Sequence, residues 1–248
     1  MSPGQQNADA QWKYWVKPLS STAFKDWDRI ERFVGYGNPG APVVFIGVEE
    51  GLSKEDSLQE DLMIRSRFER VMDLKDAHAG IAGTERLFDP ARTKCQRTWR
   101  PMCDLMLRRS GESPTLATRN RYQATKLGRT VGDTLLCELL PYPSNNTSAW
   151  VYPERFDTRE AYREAMLPRR IRLLRDAIRE AKREVIVCYG KSDWQNFEAL
   201  FDGARLSDRG PFLTGTENGT RIVLAPHFSA RQFNTNAQLE SLAKVAAG

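Results

Sequence analysis

The chain has 248 residues, 40% hydrophobic and 28% charged, with 37 Lys and Arg against 32 Asp and Glu and a formal net charge of +5. This is an ordinary globular composition, which argues against a disordered chain, and no apolar run approaches the length of a membrane span. Arginine dominates the basic set and suits phosphate recognition through its planar fork, so the excess of positive charge fits a polyanionic partner without requiring one.

The polar stretch Met1–Ala10 lacks the apolar core of a signal peptide, so a cytosolic location is expected. Residues 1–11 are expected to be a disordered tail and 12–248 a single domain. The four cysteines, Cys95, Cys103, Cys137 and Cys188, form no Cys-x-x-Cys pair, and there are only two histidines, His78 and His227. That argues against zinc, an iron–sulfur cluster or a histidine-rich metal site, and no cofactor is expected. Cys137 and Cys188 sit in apolar runs, where cysteine behaves as a small buried hydrophobe.

In chain order, Phe24, Trp27, Ile30 and Phe33 recur at helical spacing and predict a helix over about 21–34. Gly35–Gly40 reads as a loop. Val43-Val44-Phe45-Ile46 predicts a strand buried on both faces, ended by Gly47. Glu49, Glu50 and Gly51 follow, and Ser53-Lys54-Glu55-Asp56 has the pattern of a helix start for a helical region over about 54–75. Residues 76–93 read as irregular. A helix is expected over about 94–109, then a polar surface connection over 110–132 that includes Leu127.

Thr134–Leu140 predicts a second strand with Glu138 inside it, followed by a Pro/Ser/Asn loop. Asp157-Thr158-Arg159-Glu160 resembles a capping box and opens a helix that Pro168 is expected to break or restart. Its arginines read as a solvated face. Val185–Gly190 predicts a third strand, followed by a helix carrying Trp194, Phe197, Leu200 and Phe201. A short edge strand is expected at Phe212–Thr214, a last strand at Arg221–Pro226 ending at His227, and a closing helix over about 234–246. Strands alternating with helices imply an α/β fold with a parallel sheet covered on both faces.

Ligands of such sheets bind at the carboxyl ends of the strands. Three of these ends carry polar groups: Glu49 and Glu50, then Glu138, then His227-Phe228-Ser229-Ala230-Arg231. A carboxylate within Leu-Leu-Cys-Glu-Leu-Leu is costly to bury without a partner. Gly190-Lys191-Ser192 has the ending of a phosphate-binding P-loop, but Val185 stands where that loop needs a glycine.

Over about residues 40–235 the order and spacing of these motifs resemble the uracil-DNA glycosylase superfamily. Gly47-Val48-Glu49-Glu50-Gly51 matches its first motif. Glu138 takes the place of its base-reading asparagine. His227-Phe228-Ser229-Ala230 matches its last motif, with both prolines missing and Arg231 at the position that wedges into the duplex. The resemblance implies a three-layer α/β/α sandwich around a mainly parallel four-stranded sheet. It also implies a monofunctional DNA N-glycosylase, expected to be monomeric, that flips a base out and leaves an abasic site.

In that scheme Glu49, with Glu50 as runner-up, stabilises the cationic sugar or activates water, and His227 donates to the leaving base. Phe68 is the candidate for stacking on the flipped base. Arg231 would fill the gap in the duplex, with the DNA-binding candidate Gln232 nearby, and Ser144, Asn145, Asn146 and Ser229 would hold phosphates. An ionised Glu138 only accepts, which suits the amino group of a cytosine-type base better than uracil. Some superfamily members excise hypermodified bases from phage DNA as a defence, and that role is open to this chain. Rival readings are a uracil-repair glycosylase, a nucleoside hydrolase or deoxyribosyltransferase, an inactive DNA-binding module of the same fold and, more remotely, a metal-dependent nuclease using Glu49, Glu50 and Glu138.

Overall fold

The computed structural model describes residues 24–52, 58–79, 81, 83–144 and 150–248. The expected tail 1–11, the helix start at 53–56, Asn145, Asn146 and the side chain of Gln232 lie outside the described residues.

The four anticipated strands form the centre of the sheet. They are β2 (Val43–Gly47), β4 (Thr134–Glu138), β5 (Val185–Tyr189) and β8 (Thr220–Ala225), adjacent in the order β4-β2-β5-β8 and mutually parallel. Their residues alternate between two cores. Val43, Phe45, Leu136, Val187 and Val223 face one side, and Val44, Ile46, Cys137, Ile186 and Leu224 face the other. Burial on both faces is why these segments read as continuous apolar runs.

The sheet is larger than expected: it has eight strands and is mixed rather than four-stranded and mainly parallel. On one flank lie β1 (Gly35–Gly37) and β3 (Val71–Met72), on the other β7 (Phe212–Glu217) and β6 (Ser207–Arg209), giving β3-β1-β4-β2-β5-β8-β7-β6. Strand β1 runs antiparallel to β4. Its glycines read as loop residues, yet Gly35 is there because the backbone of β4 leaves no room. A Cβ on Gly35 would lie 2.0 Å from the Leu136 carbonyl oxygen. The segment expected at the edge, β7, is interior, pairing with β8 and with the fully exposed β6.

Before the sheet comes α1 (Trp27–Arg32), and α2 (Leu58–Arg65) and α3 (Leu74–Ala77) flank β3. The helical region expected over 54–75 is therefore two helices with a strand between. One face of the sheet is covered by α4 (Arg100–Arg109), α5 (Leu116–Thr125) and the closing helix α8 (Asn236–Ala247). The other is covered by α6 (Arg159–Arg179) and α7 (Trp194–Glu198). Helix α5 corrects the expected surface connection, and Leu127 just after it is fully buried.

Helix α6 opens on Thr158, whose Oγ1 accepts from the Ala161 N–H at 3.1 Å, a simple cap without the reciprocal half of a box. It then runs 21 residues straight through Pro168. Pro168 and Glu164, whose carbonyl loses its helical partner, are both exposed, so water can take over that carbonyl. The expectation of a wholly solvated arginine face fails at Arg170, which is 2% exposed. Its guanidinium donates to the carbonyls of Glu31, Phe33, Glu138 and Leu139 at 2.7–3.3 Å. It thereby fastens the end of α1 to the end of β4. Among the described residues no helix is long and apolar enough to cross a membrane.

Candidate active site

The carboxyl ends of β2, β4, β5 and β8 open into one cavity of about 990 Å³. Beyond the strands, two segments stay zipped together. Leu139 N–H donates to Gly47 O at 2.9 Å, Leu140 N–H to Val48 O at 2.8 Å and Ser144 N–H to Glu50 O at 2.8 Å. The acidic loop and the Pro/Ser loop are thus one rigid wall, carrying Glu49, Glu50, Glu138 and Ser144 into the cavity.

The two loop acids have different surroundings. Glu50 Oε2 accepts from Arg65 Nη2 at 2.7 Å and from the Tyr36 hydroxyl at 3.0 Å, and Arg65 also binds Asp61 at 2.8 Å. Burial alone would raise its pKa, but Arg65 and Tyr36 outweigh that and hold it below the usual value. Glu50 is therefore held through Oε2 as an anchor whose ionised form is favoured. Glu49 is paired through Oε1 with Arg159 Nη2, while its Oε2 is out of solvent contact and has no partner among the described residues. Burial raises its pKa despite Arg159 and Arg163. A buried carboxylate with one uncommitted oxygen is what a general base requires.

Glu138 lies across Gly47, where a Cβ would come within 2.2 Å of its Oε2. Glycine is required there for the carboxyl to sit over the strand end. The Tyr189 hydroxyl donates to Oε1 at 3.1 Å, while Oε2 is buried without a partner among the described residues. Desolvation, then the neighbouring charges of Glu50 and Glu49, push Glu138 well above the usual carboxylate range. Where the expectation was an ionised, accept-only Glu138, these surroundings favour the protonated form, which has one O–H donor as well as acceptors.

His227 follows β8, held by the ring stack of Phe228 on Tyr189, 4.3 Å between centroids. The Ser229 backbone N–H donates to His227 Nδ1 at 3.2 Å. A backbone N–H can only donate, so Nδ1 accepts and the neutral ring carries its proton on Nε2. Partial burial lowers the His227 pKa, which favours this neutral form. Ser229 is thus a tautomer-setting residue, its Oγ also 2.7 Å from Nδ1.

Other expected residues fall elsewhere. Phe68 is a core residue, 5.2 Å from the Phe33 ring and outside the cavity lining, so its proposed base contact is corrected. The aromatic groups that do line the cavity are Tyr36, Trp99 and Tyr189. Arg231 is exposed and does not line it. Sequence reasoning missed Arg159 and Arg163, taken as a solvated face, and also His78, which lines the cavity beside Tyr36. The His78 Nδ1–H donates to Leu74 O at 2.7 Å, leaving Nε2 as an acceptor. The one available signal for Arg159 and Arg163 was their i, i+4 spacing in the first turns of a helix directed at a strand end.

Among the described residues no group of three or more His, Cys, Asp or Glu could hold a metal ion. No protein-family model matches the chain, and the curated proteins contain no match to it.

Proposed function

We propose that the protein is a DNA glycosylase that hydrolyses the N-glycosidic bond of a flipped cytosine-type or hypermodified base. The observation that carries this reading is the meeting of Glu49, Glu138 and His227, from the carboxyl ends of β2, β4 and β8, in one cavity. Cleavage builds positive charge on the sugar and negative charge on the base. Glu49 faces the sugar, stabilises the cation and takes a proton from the water that adds to C1′. His227 Nε2–H donates a hydrogen bond to the departing base. Glu138 reads the base edge. Its protonated carboxyl pairs with an amino group beside a ring nitrogen lone pair, as on cytosine. The cavity lies at the upper end of the roughly 300–1,000 Å³ usual for small-molecule sites, which supports a base larger than a bare pyrimidine.

The test is abasic-site formation on duplexes carrying uracil, cytosine and modified cytosines, with free nucleosides in parallel. Excision of a cytosine-type base from DNA is expected. Excision of uracil alone would remove the role given to Glu138, and turnover of free nucleosides only would move the activity to that class. Glu49→Gln is expected to bind the substrate duplex with a Kd within a few-fold of wild type while kcat falls by about 10²–10⁴. Near-normal turnover in that variant, with loss in Glu50→Gln, would transfer the role to Glu50.

A further inference from the structure

Arg159 stands at a junction that the glycosylase scheme does not use. Its Nη2 is paired with Glu49 Oε1 and its Nη1 donates to Ser144 Oγ at 3.2 Å. Both side chains of the Glu49–Arg159 pair are only 10% exposed, yet both line the cavity. One turn on, Arg163 is paired with Asp193, which also accepts from the Ser192 hydroxyl at 3.0 Å. Lys191, exposed and 5.4 Å from the Trp194 ring, adds a further cation to the cavity lining. The guanidinium that restrains Glu49 thus shares the cavity with Ser144, Arg163, Lys191 and Ser192.

An arginine clamp lowers the basicity that burial gives a carboxylate, and a guanidinium fork binds a phosphate as readily as a carboxylate. Resting on the glycosylase reading, we infer that Arg159 is a positioning residue that passes from Glu49 to a phosphate of the bound strand, so that binding converts Glu49 from a restrained anion into an effective base. Burial is the largest influence on the basicity of Glu49, the charged groups that act on it are Arg159 and Arg163 on α6 and Asp193 after β5, and Tyr162 and Glu138 are its other titratable neighbours. Of these, Arg159 is the one hydrogen-bonded to it through its side chain, so its departure is the change that raises that basicity. The handover needs no large motion, because one fork already spans the Glu49 loop and Ser144.

The inference predicts different pH limbs for free and bound enzyme. The acid limb of kcat/KM reports free enzyme and that of kcat reports the complex. In wild type the kcat limb lies at higher pH than the kcat/KM limb. In Arg159→Gln the kcat/KM limb rises to meet it while the kcat limb stays. If Arg159 is a fixed structural clamp, both limbs move together, and that result overturns the handover.

Two further readouts do not need turnover. Binding of a short DNA duplex should take up protons near the Glu49 pKa, measured calorimetrically in buffers of different ionisation enthalpy. Glu49→Gln abolishes that uptake. The slope of log K against log salt falls by about one in Arg159→Gln and is restored by Arg159→Lys, which keeps the charge. An unchanged slope in Arg159→Gln, or proton uptake that persists in Glu49→Gln, overturns the inference. If no duplex is cleaved but the uptake and slope behave as stated, the glycosylase reading fails and the handover to phosphate stands. If neither the duplex nor inorganic phosphate shows Arg159-dependent binding, the handover itself is wrong.

Discussion

Glu138 shows how a single residue changes meaning with its surroundings. In the sequence it is an acid within an apolar strand, taken as ionised. In the folded protein it faces two other carboxylates, and one of its oxygens is buried without a partner among the described residues. Its pKa is raised on folding, so the folded state binds the proton more tightly than the unfolded state does. The stability this contributes is full below the ordinary carboxylate pKa and is lost as pH rises through the raised folded value. Glu138→Gln, which stays neutral, should therefore melt with wild type in acid and above it from neutral pH upward. The gap should be about 2–4 °C for each kcal/mol at this chain length. Thermal melts across the pH range check this, and a gap that does not vary with pH would show that Glu138 is not the proton holder.

The decisive element is the strand end. The β2 run Val43–Ile46 announces a buried strand, and Gly47 its end, from composition alone. Its glycine has a second role, which appears only when β4 lies alongside and Glu138 crosses over it. Gly47→Ala should leave the strand pairing intact while forcing the Glu138 carboxyl and the Tyr189 hydroxyl aside. We expect a stability cost of about 1–3 kcal/mol, the usual range for an overpacked site. Ligand binding should suffer more than the melting temperature, and a duplex-binding titration run beside a melt separates the two. Helix α6 gives the opposite lesson. Pro168 looks like a break, but the lost hydrogen bond lies on the solvent side while Tyr162, Met166, Leu174 and Ile178 fasten the other side to the core. Tertiary packing outweighs the local penalty.

At the scale of the molecule, arginine is as much a structural residue as a binding one. Arg170 gathers four backbone carbonyls from two distant segments, and Arg183 does the same for Pro39, Ala41, Ala177 and Ile178. Arg170→Ala strands buried carbonyls at the root of the Glu138 wall. Each such group costs about 1–3 kcal/mol when left unpaired, so a loss above about 3 kcal/mol is expected, read as a lower denaturant midpoint. A change below 1 kcal/mol would mean that the wall holds without it. Part of the positive charge of the chain is therefore not available to a partner, because Arg170 and Arg183 are committed inside the protein.

The sequence by itself determined the four parallel strands, the helices that alternate with them and the strand ends where polar groups collect. These depend on hydrophobic periodicity and on residues adjacent in the chain. It did not determine the flanking strands: β1 is glycine-rich because a neighbouring backbone is close, and β3 and β6 have only 2 and 3 residues. The tertiary structure alone decided which arginines are buried, that Phe68 belongs to the core, that Glu50 is an anchor and Glu49 the freer acid, and that Ser229 sets the tautomer of His227. Charge state, burial and hydrogen-bond partners depend on groups brought together from far along the chain, as Arg159 and Glu49 are across 110 positions, and no local pattern encodes such a meeting.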